Sequence, residues 1–445
     1  MVSIAKMDFR GRRVYRVAAW LSCLLLGWVG TAQALPSFAR QTGQPCTGCH
    51  VGGFGPQLTP FGREFKLRGY TMQGGDASAL PVSAMLVTSY THTAKAQDGP
   101  AGPYDGPNNN AALQELSVFG AGRLSSHIGM FAQATYSDID RHLALDNVEF
   151  RFAQPFTRGS HAGVWGLSVN NNPGISDLRH TQGVWRFPYM SSDLTPSPDA
   201  APLIDGGLSQ QVVGAEAYVS LDGKWYGSFG LYDTLSPGFR AKVNADDGAR
   251  LNGLAPYWRV TWQAPHNITL GASGLHAKLR GDGGLDDKYD DIGVDASYES
   301  YLDDGDMLTV SGSWMHERQR LDASFAAQAA ELRSHTLDST NISASYYFAA
   351  GYGLTAGWFA RSGTHDAFWY PDSANAGPGA VGEILQADWT PWGKATSWKQ
   401  PWANLRLGVQ YTHYDRFSGA ATDYDGTGRN ASDNDTLFLF AWIAI

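Results

Sequence analysis

Asp291-Ile-Gly-Val-Asp-Ala-Ser-Tyr-Glu299 sorts its side chains in strict alternation. Ile292, Val294, Ala296 and Tyr298 fall on one face, and Asp291, Asp295, Ser297 and Glu299 on the other. A period of two is that of a β-strand, and the split gives this strand one apolar and one polar face. The pattern recurs on both sides. Pro256, Trp258, Val260 and Trp262 oppose Tyr257, Arg259, Thr261 and Gln263, while Leu405, Leu407, Val409 and Tyr411 oppose Arg406, Gln410 and Thr412. Counted along the chain from residue 80 onward, such segments number about sixteen, the first near Val82 and the last near Thr436.

A soluble sandwich also alternates, so the period alone does not choose a solvent for the apolar face. Three further features choose lipid. Apolar faces persist through nearly every segment, 15 Trp and 20 Tyr are available for interfacial girdles, and the links alternate between tight and long. Ser125-Ser126-His127, Asp222-Gly223 and Pro265-His266-Asn267 are tight and belong on the periplasmic side, whereas 97–110, 233–252 and 415–435 are long and belong outside. The chain ends in a strand, 436–445, as a closing strand would, although its apolar residues lie on both faces and its last residue is Ile445 rather than an aromatic. The expectation is an all-β fold: an antiparallel transmembrane β-barrel of about 16 strands in the bacterial outer membrane, in contact with outer-membrane lipid.

Upstream of the barrel the character changes twice. Residues 1–34 carry Lys6, Arg10, Arg12, Arg13 and Arg16 ahead of an apolar run, then Ala32-Gln33-Ala34, which together read as a cleaved signal peptide. Its loss leaves 28 basic against 41 acidic residues, a balance that excludes nucleic acid as a partner. Residues 35–79 then contain Cys46-Thr-Gly-Cys-His50, and no other cysteine remains in the mature chain.

In C-x-x-C-H two thiols can add to the vinyl groups of a haem while the next imidazole ligates the iron. A zinc site would need a fourth ligand, commonly from a second cysteine pair, and a redox dithiol would need a thioredoxin-like alternation; both are missing. The motif therefore predicts one covalent haem c on Cys46 and Cys49, with His50 as proximal iron ligand. Met72, the methionine of this short segment, is the first distal candidate, with His92 and His127 behind it. Arg63, Lys66 and Arg68 either neutralise haem propionates or anchor the segment in an acidic lumen, and Phe54, Phe61 and Phe65 pack the haem or the segment. A stretch of about 40 residues is too small to bury a haem alone, so the barrel has to complete the pocket and the segment acts as its plug.

Ala39-Arg-Gln-Thr-Gly43, the C-x-x-C-H site, Leu58-Thr-Pro-Phe-Gly-Arg63 and Phe65-Lys-Leu-x-Gly-Tyr70 resemble the fused monohaem c-type cytochrome-porins of bacterial outer membranes, whose best-known members are iron oxidases. The likeness continues through Leu145-Asp-Asn-Val-Glu-Phe-Arg151, Val169-Asn-Asn-Asn-Pro173, Phe187-Pro-Tyr189, Tyr257-Trp-Arg259 and the run from Tyr424 to Phe440. Gly174-Ile-Ser-Asp-Leu-Arg-His180 departs from the more aromatic run of that family. The resemblance implies a division into 1–34 signal peptide, 35–79 monohaem cytochrome c segment and 80–445 porin-like barrel. It also implies electron transfer from an extracellular donor, Fe(II), to a periplasmic cytochrome, as an electron-transfer protein or an iron:cytochrome c oxidoreductase-like one. The competing expectations are a solute porin with a haem-bearing gate or redox-sensing plug, and a peroxidase-like enzyme. Glu115, Glu149, Asp291, Asp295 and Glu299 occupy lumen-facing alternation, where carboxylates either gather Fe(II) or hydrate the interior.

Overall fold

The computed structural model describes residues 35–76, 80–198, 200–243, 250–302, 305–349 and 351–445. The expected signal peptide, the end of the 35–79 segment and part of the 233–252 link lie outside these residues. Sixteen antiparallel strands form one closed barrel. In chain order they are β1 Val82–Thr93, β2 Asn110–Arg123, β3 Ile128–Ser137 and β4 His142–Arg158. Next come β5 His161–Asn170, β6 Val212–Leu221, β7 Trp225–Thr234 and β8 Ala255–Gln263. They are followed by β9 Ile268–Arg280, β10 Asp286–Tyr301, β11 Met307–Leu321 and β12 Ser334–Phe348. The last four are β13 Tyr352–Gly363, β14 Ala380–Trp389, β15 Asn404–Arg416 and β16 Thr436–Ala444.

Each strand pairs with its chain neighbours, and β1 closes on β16 in a register that sets Met85 opposite Ala444 and Thr93 opposite Thr436. Closure leaves no open edge, which is what lets a sheet cross a bilayer with every backbone group paired. The burial of the deciding stretch gives its orientation. Ile292 and Val294 are 46% and 44% exposed, while Asp291, Asp295 and Glu299 are each 7% exposed. The apolar face is the outside and the polar face the inside, the reverse of a soluble protein. Trp258, Val260 and Trp262 likewise face out while Arg259 is wholly buried. Rings on the outer wall stack near one rim, as in Trp225 on Trp262 at 5.9 Å and Tyr352 on Trp389 at 6.1 Å. No described helix is long and apolar enough to cross a membrane; the strands do the crossing, and the barrel is of the bacterial outer-membrane type.

Before β1, three short helices among the described residues lie inside the barrel: α1 Pro36–Thr42, α2 Cys46–Cys49 and α3 Pro60–Leu67. Two small helices, α4 Pro237–Lys242 and α5 Asp322–Ala326, sit in links at the long-loop end. Two connections differ from the simple alternation of lengths. The link between β5 and β6, 171–211, folds into the lumen. The link between β14 and β15, 390–403, is long although it lies at the short-turn end; it closes under the N-terminal segment, where Gly53 meets Gly393 and Arg40 lies 5.2 Å over the Trp402 ring.

The doubly apolar character of β16 has its cause here. Phe438, Phe440 and Trp442 point inward and are buried, and the Phe54 ring of the N-terminal segment packs edge-on to Trp442 at 4.9 Å. This wall is apolar inside because a plug lies against it.

Candidate cofactor site

The attachment motif is built by a short closed turn. Pro45 precedes α2, and the His50 amide donates to the Cys46 carbonyl at 2.8 Å, so the two cysteines share one helical turn and the histidine leaves it in extended conformation. The chain comes straight back. His50 bridges Leu58, and the Thr59 amide donates to the Cys49 carbonyl at 3.0 Å.

Thr59 joins the two helices. Its hydroxyl donates to the Gly48 carbonyl at 2.5 Å and accepts the Gly62 amide at 3.2 Å, which caps α3. Gly62 is required by proximity: a Cβ there would stand 2.2 Å from the Cys49 carbonyl oxygen. The run from Leu58 to Arg63 is therefore a clamp on the C-x-x-C-H turn.

Side chains from across the molecule fix the segment in the lumen. Arg63 makes a bidentate pair with Glu299 of β10 at 2.5 and 2.7 Å, and Arg179 of the 171–211 link reaches the same carboxylate at 3.1 Å. Tyr70 donates to Glu149 at 2.5 Å, and Glu149 pairs with Arg151, which in turn donates to the Lys66 carbonyl at 3.0 Å. Lys66 is buried. It donates to the carbonyls of Ile175 and Asp177 at 2.5 and 3.0 Å, lies 3.0 Å from His180 Nε2 and sits 4.5 Å over the Trp185 ring. Burial pulls the Lys66 ammonium down to about 7. Arg63 and Lys66 thus anchor the segment, and Arg68 stays local, paired with Glu64. Of the lumen-facing carboxylates, expected either to gather Fe(II) or to hydrate the interior, Glu149, Asp295 and Glu299 each hold an arginine.

Cys46, Cys49 and His50 border a cavity of about 380 Å³ between the segment, the wall of β1 to β4 and the 171–211 link. Phe54, Phe65, Phe119, Phe131, Trp185 and Trp442 supply much of its lining, and Lys66 and His180 stand among them. Neither cysteine is in a disulfide. Burial, and then the neighbouring Cys46, push the Cys49 thiol up to about 12, so it rests protonated near pH 7. Burial lowers His50 to about 4, so its imidazole is neutral near pH 7, the form that ligates iron. Its Nδ1 is buried with no hydrogen-bond partner among the described residues. Two thiols and a neutral imidazole on one aromatic-walled cavity fit a covalently attached haem.

The distal candidates separate. Met72 packs against the aromatic cluster behind the cavity and does not line it; its carbonyl accepts from Gln41 at 2.9 Å. His92 lies on the outer wall bonded to Asn109, and His127 is in an exposed turn beside Ser126. Met85 of β1, Met190 and His180 do line the cavity. His180 has both ring nitrogens engaged, Nδ1 lying 2.6 Å from the Pro56 carbonyl and Nε2 facing Lys66. Sequence reading missed Met190 and His180 because nothing in 171–211 marks it as a lumen element. Phe187-Pro-Tyr189 was the available hint.

No family model matches the chain, and no curated protein matches it. Solved structures similar to it include an anion-selective porin from Comamonas acidovorans, 12% identical, with a TM-score of 0.48 over 82% of this chain and 98% of that one. OmpF of Salmonella typhi in complex with daunomycin is 12% identical, with a TM-score of 0.49 over 82% of this chain and 97% of that one. The outer-membrane channel DcaP of Acinetobacter baumannii is 11% identical, with a TM-score of 0.47 over 82% and 96%. No residue role is transferred from them.

Proposed function

We propose that this porin-like outer-membrane barrel is a cytochrome-porin: one haem c is held covalently by Cys46 and Cys49 with His50 as axial ligand, and electrons cross the outer membrane through it. The observation that carries the reading is the C-x-x-C-H turn, clamped by Thr59 and Gly62 and facing an aromatic cavity inside the barrel. The haem supplies a one-electron redox centre. The chain supplies its seat: thiols for attachment, a neutral imidazole and a largely aromatic wall.

Met190 would be available as the second ligand to the haem iron, in place of Met72. Met190 lines the cavity, its carbonyl accepts from Gln410 at 2.9 Å, and the adjacent Tyr189 donates to Gln57 of the haem segment at 2.9 Å. These bonds tie the backbone around Met190 to β15 and to the loop that follows His50.

The donor and acceptor proposed are those that the resemblance to cytochrome-porins implies. Fe(II) outside the cell loses one electron to become Fe(III), a poorly soluble product left outside, and a periplasmic cytochrome gains that electron. Stopped-flow mixing of the purified haem-loaded protein with Fe(II) near neutral pH tests this: reduction of the haem bands is expected, and no reduction at an accessible potential overturns the iron reading. A solute porin gated by the same segment is the second reading, favoured by a further cavity of about 220 Å³ beside the 171–211 link. Planar-bilayer recording decides between them, because a large steady conductance from the haem-loaded protein contradicts a packed conduit.

A further inference from the structure

We infer that Asp291, Glu317 and Gln319 form a binding site for one hard divalent cation in the long-loop half of the lumen, separate from the haem seat and independent of the haem reading. Asp291 of β10 and Glu317 of β11 are directly opposite in register and both point inward. They are 7% and 1% exposed, and Gln319 beside them is 6% exposed. One oxygen of each carboxylate is fixed by the turn at 203–207: the Leu203 amide donates to Glu317 Oε2 and the Ile204 amide to Asp291 Oδ2, both at 2.6 Å. Glu317 Oε1 accepts from Gln319 Nε2 at 2.5 Å.

What remains points to a missing cation. Gln319 Oε1 is buried with no hydrogen-bond partner among the described residues, and Asp291 Oδ1 has no donor there apart from the neighbouring Glu317 carboxyl, which shares a side-chain hydrogen bond with Asp291. Glu149, Asp295, Glu299 and Asp388 each hold an arginine within 3.1 Å, whereas no basic side chain pairs with Asp291 or Glu317 among the described residues. Two adjacent carboxylates repel one another, and a buried carboxylate oxygen without a donor is costly. A dication balances both charges. Carboxylate and amide oxygens are the donor set of hard ions such as Mn(II), Mg(II) and Fe(II). Access exists, since Glu317 and Gln319 border a cavity of about 380 Å³ with Tyr289 and Tyr370.

The test is titration of the chelator-washed full-length protein in detergent with Mn(II), free ion being read by electron paramagnetic resonance. Glu383, His413 and Asp415 lie on the outer wall with ligand atoms within 4.8 Å of one another and could take Mn(II) as well. The titration therefore uses a Glu383→Gln/His413→Gln background. One bound Mn(II) per chain is expected. Asp291→Asn with Glu317→Gln, which keeps an acceptor for each main-chain amide, should weaken binding at least tenfold. Gln319→Glu should tighten it, a direction that misfolding does not produce. Absence of bound Mn(II), as when the two carboxyls share a proton instead, overturns the proposal, and so does affinity unchanged by all three substitutions.

Discussion

Glu299 holds two guanidinium groups at once, and the prediction that follows is directional. Arg63 and Arg179 both contact its carboxylate, with side-chain exposures of 11% and 13%, and the carboxylate side chain itself is 8% exposed. Glu299→Ala leaves both cations buried without a counter-charge, a change that costs about 3–5 kcal/mol in comparable settings. Arg63→Ala is milder. Glu299 keeps Arg179, and the loss is that of charge-assisted hydrogen bonds, about 1–3 kcal/mol. At 1.36 kcal/mol per tenfold, Glu299→Ala corresponds to a fall of about 10² to 5 × 10³ in the protection of the segment against opening. Hydrogen exchange read by mass spectrometry on peptides from 36–70 measures it, with peptides from β6 and β7 as the control. The double substitution should cost less than the sum of the two single ones, since the groups are in contact. Protection unchanged in Glu299→Ala, or a larger loss in Arg63→Ala than in Glu299→Ala, refutes the view that this pair docks the segment.

Three further outcomes are expected. Gly62→Ala puts a methyl 2.2 Å from the Cys49 carbonyl oxygen, so the attachment turn has to shift; covalent haem per chain, read as intact mass, should fall severalfold although alanine favours a helix by about 0.5–1 kcal/mol. Met190→Ala should convert a six-coordinate low-spin haem to high spin and lower its potential, while Met72→Ala leaves the spectrum unaltered; the opposite pattern restores Met72 as the ligand. Lys66 gives a pH dependence. Its folded pKa of about 7 lies below the ordinary 10.5, so the unfolded chain binds more protons between those values, and stability rises with pH across pH 7 to 10.5. The urea midpoint for release of the segment should climb through that window, and Lys66→Met should flatten the slope.

Local periodicity made the barrel legible, because each strand records which face meets lipid. The stretch from Asp291 to Glu299 alone carries the inside-out rule, and tight turns at Asp222-Gly223 and Ser125-Ser126 mark the short-turn rim. Elements whose residues answer to long-range packing escaped. The 171–211 link has no period, since its side chains meet the segment on one side and β8, β10 and β15 on others. The inward aromatics of β16 looked like a flaw in its alternation until their partner Phe54 was in place. At the site, the cysteine spacing is local and readable, whereas the Arg63 to Glu299 pair spans 236 positions of sequence and leaves no local trace.

The inner face of β16 carries a consequence for construction of the molecule. Its aromatic side chains are compatible with a lumen only when the helices of the haem segment cover them, and β16 is also the strand that seals against β1. The N-terminal segment and the closing strand therefore meet at one seam, half hydrogen-bond ladder and half ring packing. Cutting away the N-terminal segment strips the inner lining from the joint that shuts the cylinder.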